Sequence, residues 1–110
     1  MPVRSTPLQQ NFACATNDPQ QAIAGLSGRT KIVKHISAAN SSGSSRSLRL
    51  YLNGTTSAEK LLQVDIAAGG VTQLTGLFIV VLEADAIYAD QNGAGVTFSA
   101  FGANLLGDPE

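Results

Sequence analysis

From residue 31 onward, apolar and polar positions alternate with a period of two, and Gly, Ser and Asn interrupt the alternation at short intervals. Over residues 47–52, Leu48, Leu50 and Leu52 fall on one face, with Ser47, Arg49 and Tyr51 on the other. Over 61–66, Leu62, Val64 and Ile66 share a face opposite Leu61, Gln63 and Asp65. Val96, Phe98 and Ala100 alternate with Thr97, Ser99 and Phe101. A helix would repeat its apolar residues at three and four, so each segment reads as a half-buried strand. Residues 31–39 read as a further strand with looser spacing, through Ile32, Ile36 and Ala38. Residues 77–82 are apolar throughout, which predicts a strand covered on both sides. That cover is either the domain's own core, around a central strand, or a partner on the outer face.

The punctuation between these runs is that of hairpins and Greek-key links. Asn40-Ser41-Ser42-Gly43-Ser44-Ser45 has nothing to bury and reads as a loop. Asn53-Gly54, Gly69-Gly70 and Asn92-Gly93 are turn signals, because Asn and Gly tolerate positive φ. Strand-like runs broken every ~8–15 residues predict an all-β protein, an antiparallel, jelly-roll-like β-sandwich of about eight strands. Leu48, Leu50, Leu52, Leu62, Val64, Ile66, Ile79, Ile87, Val96 and Phe98 are its expected core. Helix is scarce. Asp18-Pro19 is placed to start a single turn that runs through Ala24 and ends at Gly25. Thr56-Ser57-Ala58-Glu59 fits a capping box, but no helical stripe follows, so it reads as a turn before the next strand.

Residues 1–21 differ from the rest, being rich in amides and nearly free of charge. Leu8, Gln10, Phe12 and Cys14 would share a face of an extended segment. Two readings stand open: a first strand of the domain's own sheet, or an extended arm lying on a neighbour, with the sandwich occupying residues 22–110.

Composition adds a reason to expect neighbours. The 110 residues (11.4 kDa) make one domain and are 44% hydrophobic, yet only 14% are charged, against about 25% in typical domains. A surface of hydroxyls, amides and methyls is far cheaper to desolvate than one of ammonium and carboxylate groups. Such a chain is suited to lying against other protein. The net charge is −1 and the seven basic residues are scattered, so no nucleic-acid partner is expected. No apolar window is long enough for a spanning helix, and the first residues lack the apolar stretch of a secretion signal. No membrane partner is expected, and synthesis in the cytoplasm is.

Candidate chemistry is thin. The single histidine, His35, has no motif supplying a nucleophile and an orienting carboxylate. Cys14, the only cysteine, lies in a polar-amide stretch and reads as a buried or interface thiol. Glu83, Asp85 and Asp90, with Asp65 able to approach, lack the spacing of a calcium loop and read as solvated turn carboxylates. The Gly pairs are not followed by Lys-Ser/Thr and make no phosphate loop. No enzyme activity, cofactor or metal is expected. The candidate interface residues are Leu8 and Phe12 in the N-terminal segment and Arg49, Tyr51, Tyr88 and Phe101 in the strands.

Three segments carry a resemblance: residues 31–40 (KIVKHISAAN) followed by Ser and Gly, residues 47–52 (SLRLYL), and residues 81–89 (VLEADAIYA). In this order they resemble the small all-β virion proteins of tailed bacteriophages. In those proteins an apolar strand ends Leu-Glu-x-Gly-Asp-x-Ile-x-Ala before a final Gly-bounded strand. The resemblance spans about residues 22–106 and departs at Ala84, where the pattern has Gly. It implies a virion structural protein without catalytic residues. With the small size and uncharged surface, it points to a capsid decoration (cement) protein. The implied partners are the major capsid protein and further copies of this chain, in a homo-oligomer or symmetric assembly. The implied location is the capsid surface of the virion, after synthesis in the bacterial host cytoplasm. A head–tail or tail component is the alternative, as is a sugar-binding accessory domain of a tail fibre. The absence of Trp and the presence of only two tyrosines weigh against sugar binding.

Overall fold

The alternating Leu48, Leu50 and Leu52 lie on a strand, Arg46–Leu52, whose neighbours on both sides turn their own apolar residues the same way. The computed structural model describes residues 3–107, and ten strands build it. They are β1 (Val3–Ala13), β2 (Ala15–Thr16), β3 (Gln20–Ala24), β4 (Arg29–Asn40), β5 (Arg46–Leu52), β6 (Lys60–Ile66), β7 (Val71–Leu74), β8 (Ile79–Val81), β9 (Ala86–Gln91) and β10 (Val96–Gly107). One 3-10 turn, Ser57–Glu59, precedes β6, and Glu59 reaches back to the Thr56 N–H at 3.2 Å.

The first sheet runs β1–β10–β4, and β7 and β8 follow one another along the far edge of β4. The second runs β9–β5–β6, with β2 and β3 sharing the outer side of β9. Each sheet therefore has four strand positions. Numbered along the chain, the orders are 1-8-3-6 and 2-7-4-5, the wrapped double Greek key of a jelly roll. The sandwich predicted from the alternation is the fold observed. Leu48, Leu50, Ile66, Ile87, Val96 and Phe98 are buried between the sheets, and Leu52, Leu62, Val64 and Ile79 pack against them half-buried.

Two expectations need correction. Residues 20–24 form strand β3 rather than a helical turn. Ala22 and Ile23 are both buried, and a register shift against β9 between Gln21 and Ile23 turns consecutive side chains inward. Pairing with β9 outweighs the local start signal, as tertiary context does for weak propensities. Residues 77–82 are not a central strand either: β8 is short, lies at an edge and pairs only with β4. Of the two readings left open for the N-terminal segment, residues 3–13 take that of a strand in the domain's own sheet, at its edge. β1 pairs with β10 along its whole length, from Val3 opposite Gly107 to Ala13 opposite Thr97, and Leu8 is buried.

The looser pattern over residues 31–39 also has a cause. Opposite Phe101 and Gly102 of β10, the register on β4 passes from His35 to Val33 and leaves Lys34 as an extra residue. This β-bulge shifts the inward set from Ile36, Ala38 and Asn40 to Val33 and Lys31, and leaves Ile32 outside the buried set. The bulge brings the Ile32 carbonyl oxygen to 1.8 Å from where a Cβ on residue 102 would stand, so only glycine fits there. Gly102→Ala should therefore destabilise the domain by about 1–3 kcal/mol through overpacking, lowering the thermal midpoint by about 4 °C or more. An unchanged midpoint in a calorimetric scan would show that the bulge is not there.

Candidate assembly surfaces

The antiparallel register of β5 against β9 places Arg49 opposite Asp90 and Tyr51 opposite Tyr88, on the face turned away from the core. Three of the candidate interface residues, Arg49, Tyr51 and Tyr88, are thus brought together. Arg49 grips Asp90 with two parallel bonds, Nε to Oδ1 at 2.8 Å and Nη2 to Oδ2 at 3.0 Å. Nη2 also donates to Asn17 Oδ1 at 3.0 Å and to the Gln91 carbonyl at 3.1 Å. The Tyr51 hydroxyl donates to Asp90 Oδ1 at 3.3 Å. Burial, and after it the Asp90 charge, hold the Tyr51 phenol above its usual pKa. Asn17, at φ 49°, folds the β2–β3 bend over this cluster and donates its N–H to the Gln91 carbonyl at 2.7 Å. Asp90 is thus a buried, ion-paired residue of β9 and not a solvated turn carboxylate. The cluster clamps the N-terminal bend to the second sheet, with both Arg49 and Tyr51 bonded to Asp90.

The other three candidates lie on the first sheet. Leu8 is buried, and Phe12 is half-buried with its ring 5.8 Å from that of Phe98. Both face the domain's own core, because Leu8, Gln10 and Phe12 alternate inward from β1 once it is paired. Phe101 points the other way, half-buried, with its ring 5.9 Å from that of His35. His35 Nε2 lies 2.6 Å from Gln73 Oε1. Below them a polar row crosses the outer face, with Ser99 donating to Asn11 and Gln73 to Ser37.

The remaining chemical groups are also engaged within the chain. Burial, and after it the Asp90 charge, push the Cys14 thiol up to about 12, far from the thiolate a nucleophile needs. Asp65 accepts from Ser47 Oγ at 2.5 Å, Glu83 from the Gly28 N–H at 3.0 Å, and Asp85 from Asn53 Nδ2 at 2.8 Å and the Leu82 N–H at 3.0 Å. Among the described residues no three His, Cys, Asp or Glu side chains gather as a metal site requires, and no helix is long and apolar enough to cross a membrane. Ala84 stands in the 82–85 turn without needing the positive φ that favours glycine. The Asp85 carboxylate ties the turn itself, and Asn17 and Asn53 are the only non-glycine residues at positive φ among those described.

One surface lay outside the candidate residues. β8 turns Ile79 and Val81 inward, and its other face presents Phe78 (70% exposed), Val80 (37%) and Leu82 (52%). Leu26, also exposed, follows Gly25, whose backbone lies against the Leu82 carbonyl. The signal for it was the run of apolar residues over 77–82, half of which is exposed among the described residues.

These are the features of a jelly-roll sandwich with no assembled catalytic constellation among the described residues and one uncovered apolar strand face. No protein-family model matches the chain, and no curated protein matches it in sequence. Among solved structures, the fold is similar to that of the extra small virus (XSV) VLP of the giant freshwater prawn Macrobrachium rosenbergii. The TM-score is 0.55 at 7% identity, covering 99% of this chain and 82% of that one. It is similar also to a Bacillus endospore appendage from a family of disulfide-linked pili, with a TM-score of 0.55 at 10% identity, covering 94% of this chain and 87% of that one. At such identities the likeness is one of fold.

Two measurements check the polar sites. Arg49→Ala leaves Asp90 buried without its partner and should cost about 3–5 kcal/mol; replacing both residues with apolar ones should cost much less, as read by urea denaturation. Asp85, held below its ordinary value of 3.8 by the Asn53 bond first and the Leu82 N–H second, stabilises the fold above that pH. The contribution disappears as the pH falls through the lowered folded-state value. Asp85→Asn should therefore show a shallower loss of thermal stability below pH 4 than the parent.

Proposed function

We propose that the protein is a non-enzymatic structural subunit of a virus particle and, within that class, a decoration (cement) protein of a bacteriophage capsid. The observation that carries this reading is the 1-8-3-6 over 2-7-4-5 strand order, a jelly roll, an architecture that viral capsid domains use. It is joined to a surface on which charge is scarce. The partners on this reading are neighbouring major-capsid subunits, and the location is the outside of the shell. The mechanism is interfacial. A shell under internal pressure fails where subunits part, and a small domain seated across two of them adds buried area that must be lost first. Individually weak contacts, repeated by symmetry, supply the avidity. The absence of enzyme activity is part of the proposal, and it is supported by the engagement of Cys14, His35 and Asp90 within the fold.

A tail or neck component is the second reading, favoured by the equal likeness to a pilus subunit. A sugar-binding role draws less support, because Tyr51 is buried against Asp90 and leaves only Tyr88 of the two tyrosines to stack on a ring. Quantitative mass spectrometry of purified particles separates these. The decoration reading expects the chain in hundreds of copies per particle. A few copies would place it in the tail or neck, and its absence from particles would overturn the virion reading altogether.

A further inference from the structure

Two Asn-Gly pairs lie at turns, Asn53-Gly54 after β5 and Asn92-Gly93 after β9, and both asparagines are exposed. A glycine that follows asparagine has no side chain to crowd the approach of its backbone nitrogen to the asparagine amide. The fold treats the two pairs differently. Asn53 is held at both atoms of its amide, with Nδ2 donating to Asp85 Oδ1 at 2.8 Å and Oδ1 accepting from the Ala86 N–H at 2.8 Å. Asn92 is held at one. Its Oδ1 accepts from the Ser47 N–H at 2.9 Å, and among the described residues nothing accepts from its Nδ2. The Gly93 N–H also has no acceptor among them.

We propose that Asn92 is a site of spontaneous deamidation in the folded protein and that Asn53 is protected from it. In the reaction the Gly93 nitrogen bonds to Asn92 Cγ and the Cγ–Nδ2 bond breaks. Nδ2 leaves as ammonia, taking the proton that the Gly93 nitrogen gives up. Water then opens the five-membered succinimide at either carbonyl, giving aspartate or isoaspartate. The Ser47 N–H stabilises Asn92 Oδ1 as the attack pushes negative charge onto it. At Asn53 the same attack must first turn the amide out of both its bonds. One of those is to a carboxylate, and charge-assisted bonds are the stronger kind. Residue 93 is also constrained to be glycine, because a Cβ there would stand 2.5 Å from Arg46 Nε, which donates to the Ala94 carbonyl at 3.1 Å. The position after Asn92 thus stays bare of a side chain that would slow ring closure. Conversion adds a negative charge next to the Gly93–Arg46 contact. As isoaspartate it also adds a backbone atom to the link between β9 and β10, where Gln91 Oε1 accepts from the Val96 N–H at 2.8 Å.

Tryptic peptide mapping of the full chain tests this, after ageing in warm, mildly alkaline buffer, folded in one arm and unfolded in urea in the other. Cleavage after Arg49 and Lys60 puts Asn53 on residues 50–60 and Asn92 on residues 61–110, and fragment ions locate the gain of one mass unit. Labelling with isoaspartyl methyltransferase identifies the isoaspartate. The urea arm supplies the rate of each site without the fold. The ratio of folded to unfolded rate should be at least about tenfold higher at Asn92 than at Asn53, the effect of one hydrogen bond to a charged group. Asp85→Ala, which removes the partner of Asn53 Nδ2, should speed conversion at Asn53 by about the same factor. Equal ratios at the two sites, a lower ratio at Asn92, or a folded Asp85→Ala chain in which Asn53 stays slow would each overturn the proposal. If circular dichroism shows Asp85→Ala unfolded, the two ratios in the parent chain decide alone.

Discussion

The last strand lies between the first and the fourth. β10 pairs with β1 on one side and β4 on the other, each along nearly its whole length, so the first sheet has no interior until β10 is in place. Val96, Phe98 and Ala100 then stand beside Val33, Ile36 and Ala38 on the sheet's buried face. Strands distant in sequence must meet before any of this apolar area is removed from water, a costly ordering in conformational entropy. In return, the domain's ends are tied into its middle.

Polar side chains, some buried and some at the surface, act as pegs for the loops that link the two sheets. Asn40, buried at the end of β4, donates through Nδ2 to the carbonyls of Ser44 at 2.8 Å and Ile66 at 3.0 Å, and accepts from the Ser42 N–H and hydroxyl. It thereby fixes the serine-rich loop between β4 and β5 onto the end of β6. Arg49 and Asp90 do the same for the β2–β3 bend, and Asn53 for the turn before β9, where it bonds both Asp85 and the Ala86 N–H. Side-chain hydrogen bonds of this kind compensate for loops that bury little. Two of the protein's few charges are consumed at one peg, and the outer faces are left poor in charge, in keeping with an assembly role.

Much of the fold was legible from the period of two. The core faces of β5, β6 and β10 follow from residue order alone, because the pleat permits no other sorting of Leu48, Leu50 and Leu52 from Arg49 and Tyr51. What the pattern hid were places where backbone geometry departs from the pleat. The bulge at Lys34 displaced Ile32 from the buried set, and the shift between Gln21 and Ile23 made a strand resemble a helical start. The surfaces were harder to read. Arg49, Tyr51, Leu8 and Phe12 are large residues that suit an interface, yet Asp90 engages the first two through the register of β9 and the pairing of β1 with β10 turns the other two towards the core. The run 77–82 did announce that something must cover both of its faces. Which face stayed open depended on β7 and β8 lying at the sheet's edge, a matter of topology with no local signal.

The central claim is that this jelly roll works by bridging subunits of a particle shell. A single-particle reconstruction of the assembled particle tests it most directly. A two-sheet density fitting this chain should recur at symmetry-related positions across the shell, each copy touching two neighbouring major-capsid subunits. Density confined to a unique vertex or tail, or copies each resting on one subunit alone, would contradict it.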